Sequence, residues 1–173
     1  MQQDYAIQDY AINVQDLNYS YGSGALKKQI LYDINLRIEP GEIVIISGPS
    51  GSGKTTLLSL MAGLRTVQEG SLRILDLELN NVNKEKLLDL RRQLGYIFQS
   101  HNLVPFLSAI DNASVGLRLN KKLSARDIEA RAHQLLNAVG LEGKAESLPE
   151  NLSVGQKQRV AIARAWPPNL PLF

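Results

Sequence analysis

Two stretches alternate polar and apolar residues at the period of a strand, about Ile12 to Tyr21 and Gln29 to Ile38, and the Gly22-Ser23-Gly24 turn separates them. Pro40-Gly41 marks a second turn. It leads into Glu42-Ile43-Val44-Ile45-Ile46-Ser47, a near-continuous β-branched run that predicts a strand covered on both faces, as in a parallel sheet. The period then changes. Leu57, Leu58, Leu60, Met61 and Leu64 fall at helical spacing within Thr55 to Leu64, and Gly63 should end that helix. Ser71 to Leu75 reads as a short strand, and Lys84 to Leu94 as a helix whose apolar positions are Leu87, Leu88, Leu90 and Leu94. From Pro105 onward the pattern is helical. Ser108 is placed to cap one helix, and Ser124 another whose stripe is Ile128, Ala132, Leu135, Leu136 and Val139, stopped by Gly140. A last helix begins at Ser153. The order predicts mixed strands first, then an α/β unit, then a helical insertion. Asp4-Tyr5-Ala6-Ile7-Gln8 nearly repeats as Asp9-Tyr10-Ala11-Ile12-Asn13, too short a duplication for a repeat architecture, so residues 1–13 read as an extension running into a strand.

Composition narrows the picture. The 173 residues suit one domain, and 44% hydrophobic with 21% charged residues excludes a disordered chain. Lys plus Arg is 19 against 17 Asp plus Glu, a net charge of +2 without a basic stripe, so no nucleic-acid partner is expected. The absence of Cys removes disulfides, thiolate metal sites and thiol nucleophiles, and fits a reducing compartment. No apolar run reaches the roughly 18 to 20 residues that cross a bilayer, and Met1-Gln2-Gln3-Asp4 lacks the blocks of a signal peptide. A soluble protein is expected, held at a membrane only through a partner.

Gly48-Pro49-Ser50-Gly51-Ser52-Gly53-Lys54-Thr55 fits G-x-x-x-x-G-K-[ST] between an expected strand and an expected helix. Glycines let successive backbone N–H groups curl toward one anion, and the helix N-terminus adds its positive end. In that chemistry Lys54 reaches the β- and γ-phosphates of a nucleotide and the Thr55 hydroxyl binds Mg²⁺.

Further on, Leu152-Ser153-Val154-Gly155-Gln156 precedes the basic helical run Lys157 to Ala165. Ser153 and Gln156 stand in capping-box register, which explains a capped amphipathic helix and nothing more. A sharper alternative is that Gly155 exposes the helix start, so that a γ-phosphate docks on Ser153 and the free N–H groups. The segment lies about 100 residues after Lys54, so such docking would be between two chains.

With these segments in view, the chain resembles the nucleotide-binding subunits of ATP-binding-cassette (ABC) transporters from about Val14 to Ala165. The resemblance rests on GPSGSGKTT, on Tyr96-Ile97-Phe98-Gln99 at the Q-loop, and on LSVGQKQRVAIARA at the signature, where Val154 replaces the usual middle Gly of LSGGQ. Within the family it looks most like the macrolide-export and lipoprotein-release branch. QILYDINLRIEPGEIVIISGPSGSGKTTLL, GLRTVQEGSL and RRQLGYIFQSHNL are similar to the DevA-type subunit of cyanobacterial glycolipid exporters. The resemblance implies a P-loop ATPase core with an N-terminal antiparallel β subdomain and a helical subdomain at about 105–152. It implies ATP and Mg²⁺ as ligands, held by Gly48 to Thr56, and a role in ATP hydrolysis for Lys54. Tyr21 takes the place of the aromatic that stacks on adenine, with Tyr19 as the competing choice. Gln99 takes that of the glutamine that binds Mg²⁺ or the attacking water. Ser153, Gly155 and Gln156 would contact nucleotide across a dimer.

The implied partners are a second ATPase subunit, identical or an intact paralogue, and a transmembrane permease, with a membrane-fusion protein in exporters of that branch. Ser100, His101 and Pro105 match the region that meets the permease. Location would then be cytoplasmic, peripheral on the inner membrane. His101 reads as a loop or interface residue and His133 as solvated. After Ala165 the chain reads Trp166-Pro167-Pro168-Asn169-Leu170-Pro171-Leu172-Phe173, where the family continues with an apolar strand, its Mg²⁺-binding Asp and catalytic Glu. Three prolines in this tail cannot form an interior parallel strand. The ending is therefore expected to reflect a frameshift or premature stop, leaving nucleotide binding without sustained turnover and an aggregation-prone chain. Two alternatives stand beside a transport ATPase: a non-catalytic module pairing with an intact subunit, and a soluble ABC ATPase of repair or translation.

Overall fold

The computed structural model describes residues 10–120 and 122–167, so residues 4–9 of the near-repeat and positions 168–173 of the tail lie outside the described residues. The chain divides after Arg91 into two compact units.

In the first unit, β1 (Ile12–Tyr21) and β2 (Lys28–Ile38) form where the alternation places them. They join β3 (Glu69–Ile74) and β4 (Leu77–Glu78) in an antiparallel sheet of order β2-β1-β3-β4. Val14, Leu17, Leu31, Leu72 and Ile74 are buried, and Val14 and Leu17, three residues apart, share the inward face because β1 is irregular between them. Asp16 in β1 and Asp33 in β2 have φ of 47° and 44°, and β1 loses register between Val14 and Leu17. Carboxamides hold these irregularities: Asn35 Oδ1 accepts from Asp16 N at 3.1 Å, and Asn18 Nδ2 donates to Asp33 Oδ1 at 2.8 Å. The helix α1 (Lys54–Met61) buries Leu57, Leu60 and Met61, and α2 (Lys84–Gln93) extends past the unit boundary at Arg91. Arg91 of α2 donates to the Gly63 carbonyl just beyond α1.

One expectation is overturned. Glu42–Ser47 is not a strand, and it is not covered: Ile43 and Ile45 are 94% and 87% exposed. Among the described residues no strand pairs with it, and β-propensity without a ladder partner does not make a strand. The phosphate-type motif is therefore entered from an extended segment and left by a helix.

The second unit is helical: α3 (Ala109–Leu117), α4 (Ala125–Ala138) and α5 (Val154–Ala165). Its core is small and aliphatic, with Ala109, Ala113, Leu117, Ala132, Leu135, Leu136, Val160 and Ala163 buried together. The caps form as the sequence predicts. Ser108 accepts from Asp111 N, Ser124 and Asp127 close a capping box, and Gly140 turns the chain at φ 68°. The Ser124 hydroxyl and backbone N–H hold the Asp127 carboxyl below the usual range.

Candidate functional site

Gly53 decides how the Gly48–Thr55 loop meets α1. Its φ is +90°, and a Cβ there would lie 2.6 Å from Leu31 Cδ2 and 3.3 Å from the Ile30 carbonyl oxygen. β2 thus runs close behind the loop, and only glycine fits. The Ser52 N–H donates to Pro49 O at 3.3 Å and closes the turn. As N-cap, Gly53 has no side chain to cap α1. Among the described residues, the N–H groups of Lys54, Thr55 and Thr56 have no intramolecular acceptor.

Into this turn reaches the ammonium of Lys54. Its Nζ donates to Gly48 O at 2.8 Å and Pro49 O at 2.7 Å, with Ser52 Oγ at 3.4 Å. All three acceptors are neutral, so the lysine's charge is solvated by the motif but not cancelled. A cation beside uncapped helix N–H groups is the donor set of an anion site. Thr55 is exposed at the second helical position. Among the described residues no group of three or more His, Cys, Asp or Glu could hold a metal ion. Mg²⁺ here fits the hydroxyl of Thr55 with phosphate oxygens and water, which is how that ion is held beside nucleotides.

Tyr21 stands at the end of β1, and its hydroxyl lies 3.2 Å from Thr56 Oγ1. Thr56 is buried, and its side chain serves this contact. Tyr19 is 8% exposed against 36% for Tyr21. Of the two tyrosines, Tyr21 is the one with a ring open to a ligand.

Gln99 belongs to the second unit and lies exposed in a turn, where the His101 N–H donates to Phe98 O at 3.0 Å. Ser153 and Gln156 form the capping box in full: Gln156 N donates to Ser153 Oγ at 3.2 Å and Ser153 N to Gln156 Oε1 at 2.8 Å. One N–H of the helix start is therefore taken internally, while Val154 and Gly155 remain exposed. The structure thus brings Tyr21 to Thr56 and Lys54 to Gly48 within the first unit, while Gln99, Ser153, Gly155 and Gln156 belong to the second.

Several residues escaped the sequence reading. Arg164 donates to the carbonyls of His101 and Asn102, the latter at 2.6 Å, and so pins the turn after Gln99 to α5. Burial pushes the Arg164 guanidinium below its usual pKa. Both carbonyls come from non-glycine residues at positive φ, 62° and 46°. Arg159 likewise donates to Val139 O and Gly140 O at 3.0 Å, at the end of α4. A basic run on a helix gave no signal of which carbonyls it would seek. Gly95 is fixed from the same side, since a Cβ on it would lie 2.4 Å from Ala165 O. A groove of about 580 Å³ between Ile110, Ser114, Arg118 and Ile128 contains none of the motif residues.

The chain has relatives among known proteins. A family model described as ABC transporter matches residues 31–172. The chain is 43% identical over 154 residues to the methionine import ATP-binding protein MetN of Clostridioides difficile, covering 89% of this chain and 46% of that one. It is 37% identical over 158 residues to the lipoprotein-releasing system ATP-binding protein LolD of Francisella tularensis, covering 91% and 68%. The dimeric post-hydrolysis structure of the ATP-binding cassette MJ0796, bound to ADP and Pi, superposes with a TM-score of 0.84 at 36% identity, covering 91% of this chain and 70% of that one. The chain thus spans about half of MetN and two thirds of LolD.

Proposed function

The chain belongs to the ABC transporter family, and from that membership we propose that it binds Mg-ATP at the Gly48–Thr56 loop as the ATP-binding part of an exporter. The observation that carries this is Lys54, whose ammonium sits in the loop's own turn on neutral carbonyls. A triphosphate would replace those neutral acceptors by anionic oxygens, adding ion–ion attraction to bonds whose donor is already charged. The uncapped N–H groups of α1 would take the remaining oxygens. Tyr21 would stack on the base and Thr55 would bind the magnesium; for Gln99 the role is that of a metal or water ligand. When bound, the magnesium ion would supply charge neutralisation to the phosphates. The amide of Gln99 suits this task because it orients water or metal without ionising.

Across a dimer, Ser153, Gly155 and Gln156 would meet the γ-phosphate held by another chain, an identical copy or an intact paralogue. What supports this is the exposure of Gly155 and the Ser153 hydroxyl, which accepts within the cap and keeps its own hydrogen to donate. MetN is named for import and LolD for lipoprotein release, so direction rests on the segments shared with the export branch. A transmembrane permease contacting the Ser100 to Pro105 stretch completes the proposal, and would place the chain on the cytoplasmic face of the inner membrane.

Calorimetric titration of the chain with Mg-ATP tests the binding step. Lys54→Ala should weaken affinity at least tenfold, as loss of a charge-assisted contact implies. Equal affinity in the variant, with its melting temperature unchanged, would overturn the proposal.

A further inference from the structure

We propose that Arg65 is a positioning residue of the base site, acting through Tyr21 to set the preference for a nucleoside triphosphate over bare triphosphate. The inference rests on the nucleotide reading above and adds to it a residue outside every motif. Arg65 follows the Gly63 turn at the end of α1 and is exposed. Its guanidinium carbon lies 4.8 Å from the centroid of the Tyr21 ring and 6.0 Å from that of Tyr19. Its Nη1 donates to the Tyr19 hydroxyl at 3.4 Å. Among the described residues no carboxylate pairs with it, so its interactions are with the two tyrosines.

The rest of the cluster fixes the ring from other sides. Tyr19 meets Tyr21 edge-on, at 5.2 Å between centroids and 80° between planes. The backbone between them is clamped by one side chain: Ser20 N donates to Gln68 Oε1 at 2.8 Å, and Gln68 Nε2 to Ser20 O at 3.0 Å. The Tyr21 hydroxyl rests 3.2 Å from Thr56 Oγ1, two residues beyond Lys54. The ring is thus set relative to the phosphate loop by Thr56, and against rotation by Tyr19 and Arg65. A planar guanidinium suits the role because it stacks on a ring face, which an ammonium does not. Held in this way, Tyr21 would meet a base without having to be ordered when the nucleotide arrives.

The test is titration of the 173-residue chain with Mg-ATP and, separately, Mg-tripolyphosphate, which has the phosphates and no base. Arg65→Ala should weaken ATP roughly twofold to fivefold, the range of an exposed cation–π contact, and leave tripolyphosphate unchanged. Arg65→Lys should fall between, and guards against a variant that misfolds. In a Tyr21→Ala background Arg65→Ala should cost nothing further, because the contact it acts through is gone. Equal losses for both ligands, no loss for either, or an undiminished effect without Tyr21 would each overturn the inference while leaving the nucleotide reading intact. Failure of the unmodified chain to bind either ligand would overturn both.

Discussion

Asn112 is wholly buried, and its side chain stitches α3 to the turn before it. Oδ1 accepts from Val104 N at 2.8 Å, and Nδ2 faces the carbonyls of Val104, Leu107 and Ser108 at 3.1, 2.9 and 3.0 Å. Asn112→Ala would not orphan all of these. Val104 O still accepts from Leu107 N at 3.2 Å, and Ser108 O from the backbone N–H of residue 112 at 2.9 Å. The Val104 N–H and the Leu107 carbonyl are left without partners. Each orphan costs about 1–3 kcal/mol when buried; both residues are half-buried, so water recovers part. The expected loss is roughly 2–4 kcal/mol, a large share of the 5–15 kcal/mol typical of a domain. Trp166 is the single tryptophan and packs on the second unit's core, so its fluorescence in a urea titration reports this loss as a lower midpoint at unchanged slope. Asn112→Asp sharpens the test. It keeps Oδ1 for Val104 but sets a second acceptor against three carbonyls, which raises its folded-state pKa. A raised folded value stabilises below the unfolded pKa and is lost as pH rises through the folded one. The Asp variant should therefore gain on the Ala variant at acid pH. A loss under about 0.5 kcal/mol for the Ala variant, the level of an ordinary surface change, would refute the reasoning.

Three further outcomes are expected. Arg164→Met removes the donors that hold two left-handed residues and should lower stability by about 2 kcal/mol, read from the same fluorescence titration. Glu78 loses something to burial, but the Ser71 hydroxyl, the N–H groups of Asn80 and Leu72 and the charge of Arg73 together hold its carboxyl below the usual range. Its contribution is present above the unfolded pKa and lost as pH falls through the lowered folded value, so Glu78→Gln should cost about 1 kcal/mol at pH 7 and little near pH 3, measured by melts across that interval. Ile43→Lys with Ile45→Lys should reduce light scattering at 37 °C without lowering the melting temperature, since both side chains are already outside; unchanged scattering would show that this segment is not what associates.

Local chemistry was the legible part. Ser108, Ser124 and Ser153 cap where their spacing to Asp111, Asp127 and Gln156 places them, because a cap involves four consecutive residues and needs no distant partner. The strand limits at Tyr21 and Ile38 follow from alternation against one core. Glu42–Ser47 went wrong for the opposite reason. Its β-branched run states a preference that only a neighbouring strand can satisfy, and propensity cannot summon one. Arg65, Gln68, Asn112 and Arg164 were illegible because their partners are distant in sequence, as with Arg65 and Tyr19 or Gln68 and Ser20, or are backbone groups, which carry no residue-type signal. Gly53 and Lys54 were legible as a motif, yet the contact between Gly53 and Leu31 that makes glycine necessary was not.

The resting state of Lys54 bears on what binding can yield. Its three acceptors are neutral and lie within six residues of it. Breaking those bonds needs no opening of the fold, only rotation of one side chain. Positive φ at Gly51 and Gly53 keeps the backbone curled independently of that rotation, since few other residues adopt it. The loop therefore does not have to be ordered by its ligand. What an anion gains is the difference between carbonyl dipoles and full charges around one ammonium, together with N–H groups at the start of α1 that find no acceptor among the described residues. A carboxylate placed where Gly48 and Pro49 offer carbonyls would have cancelled that difference beforehand. The preference for neutral acceptors is thus what leaves the lysine's charge available to a phosphate.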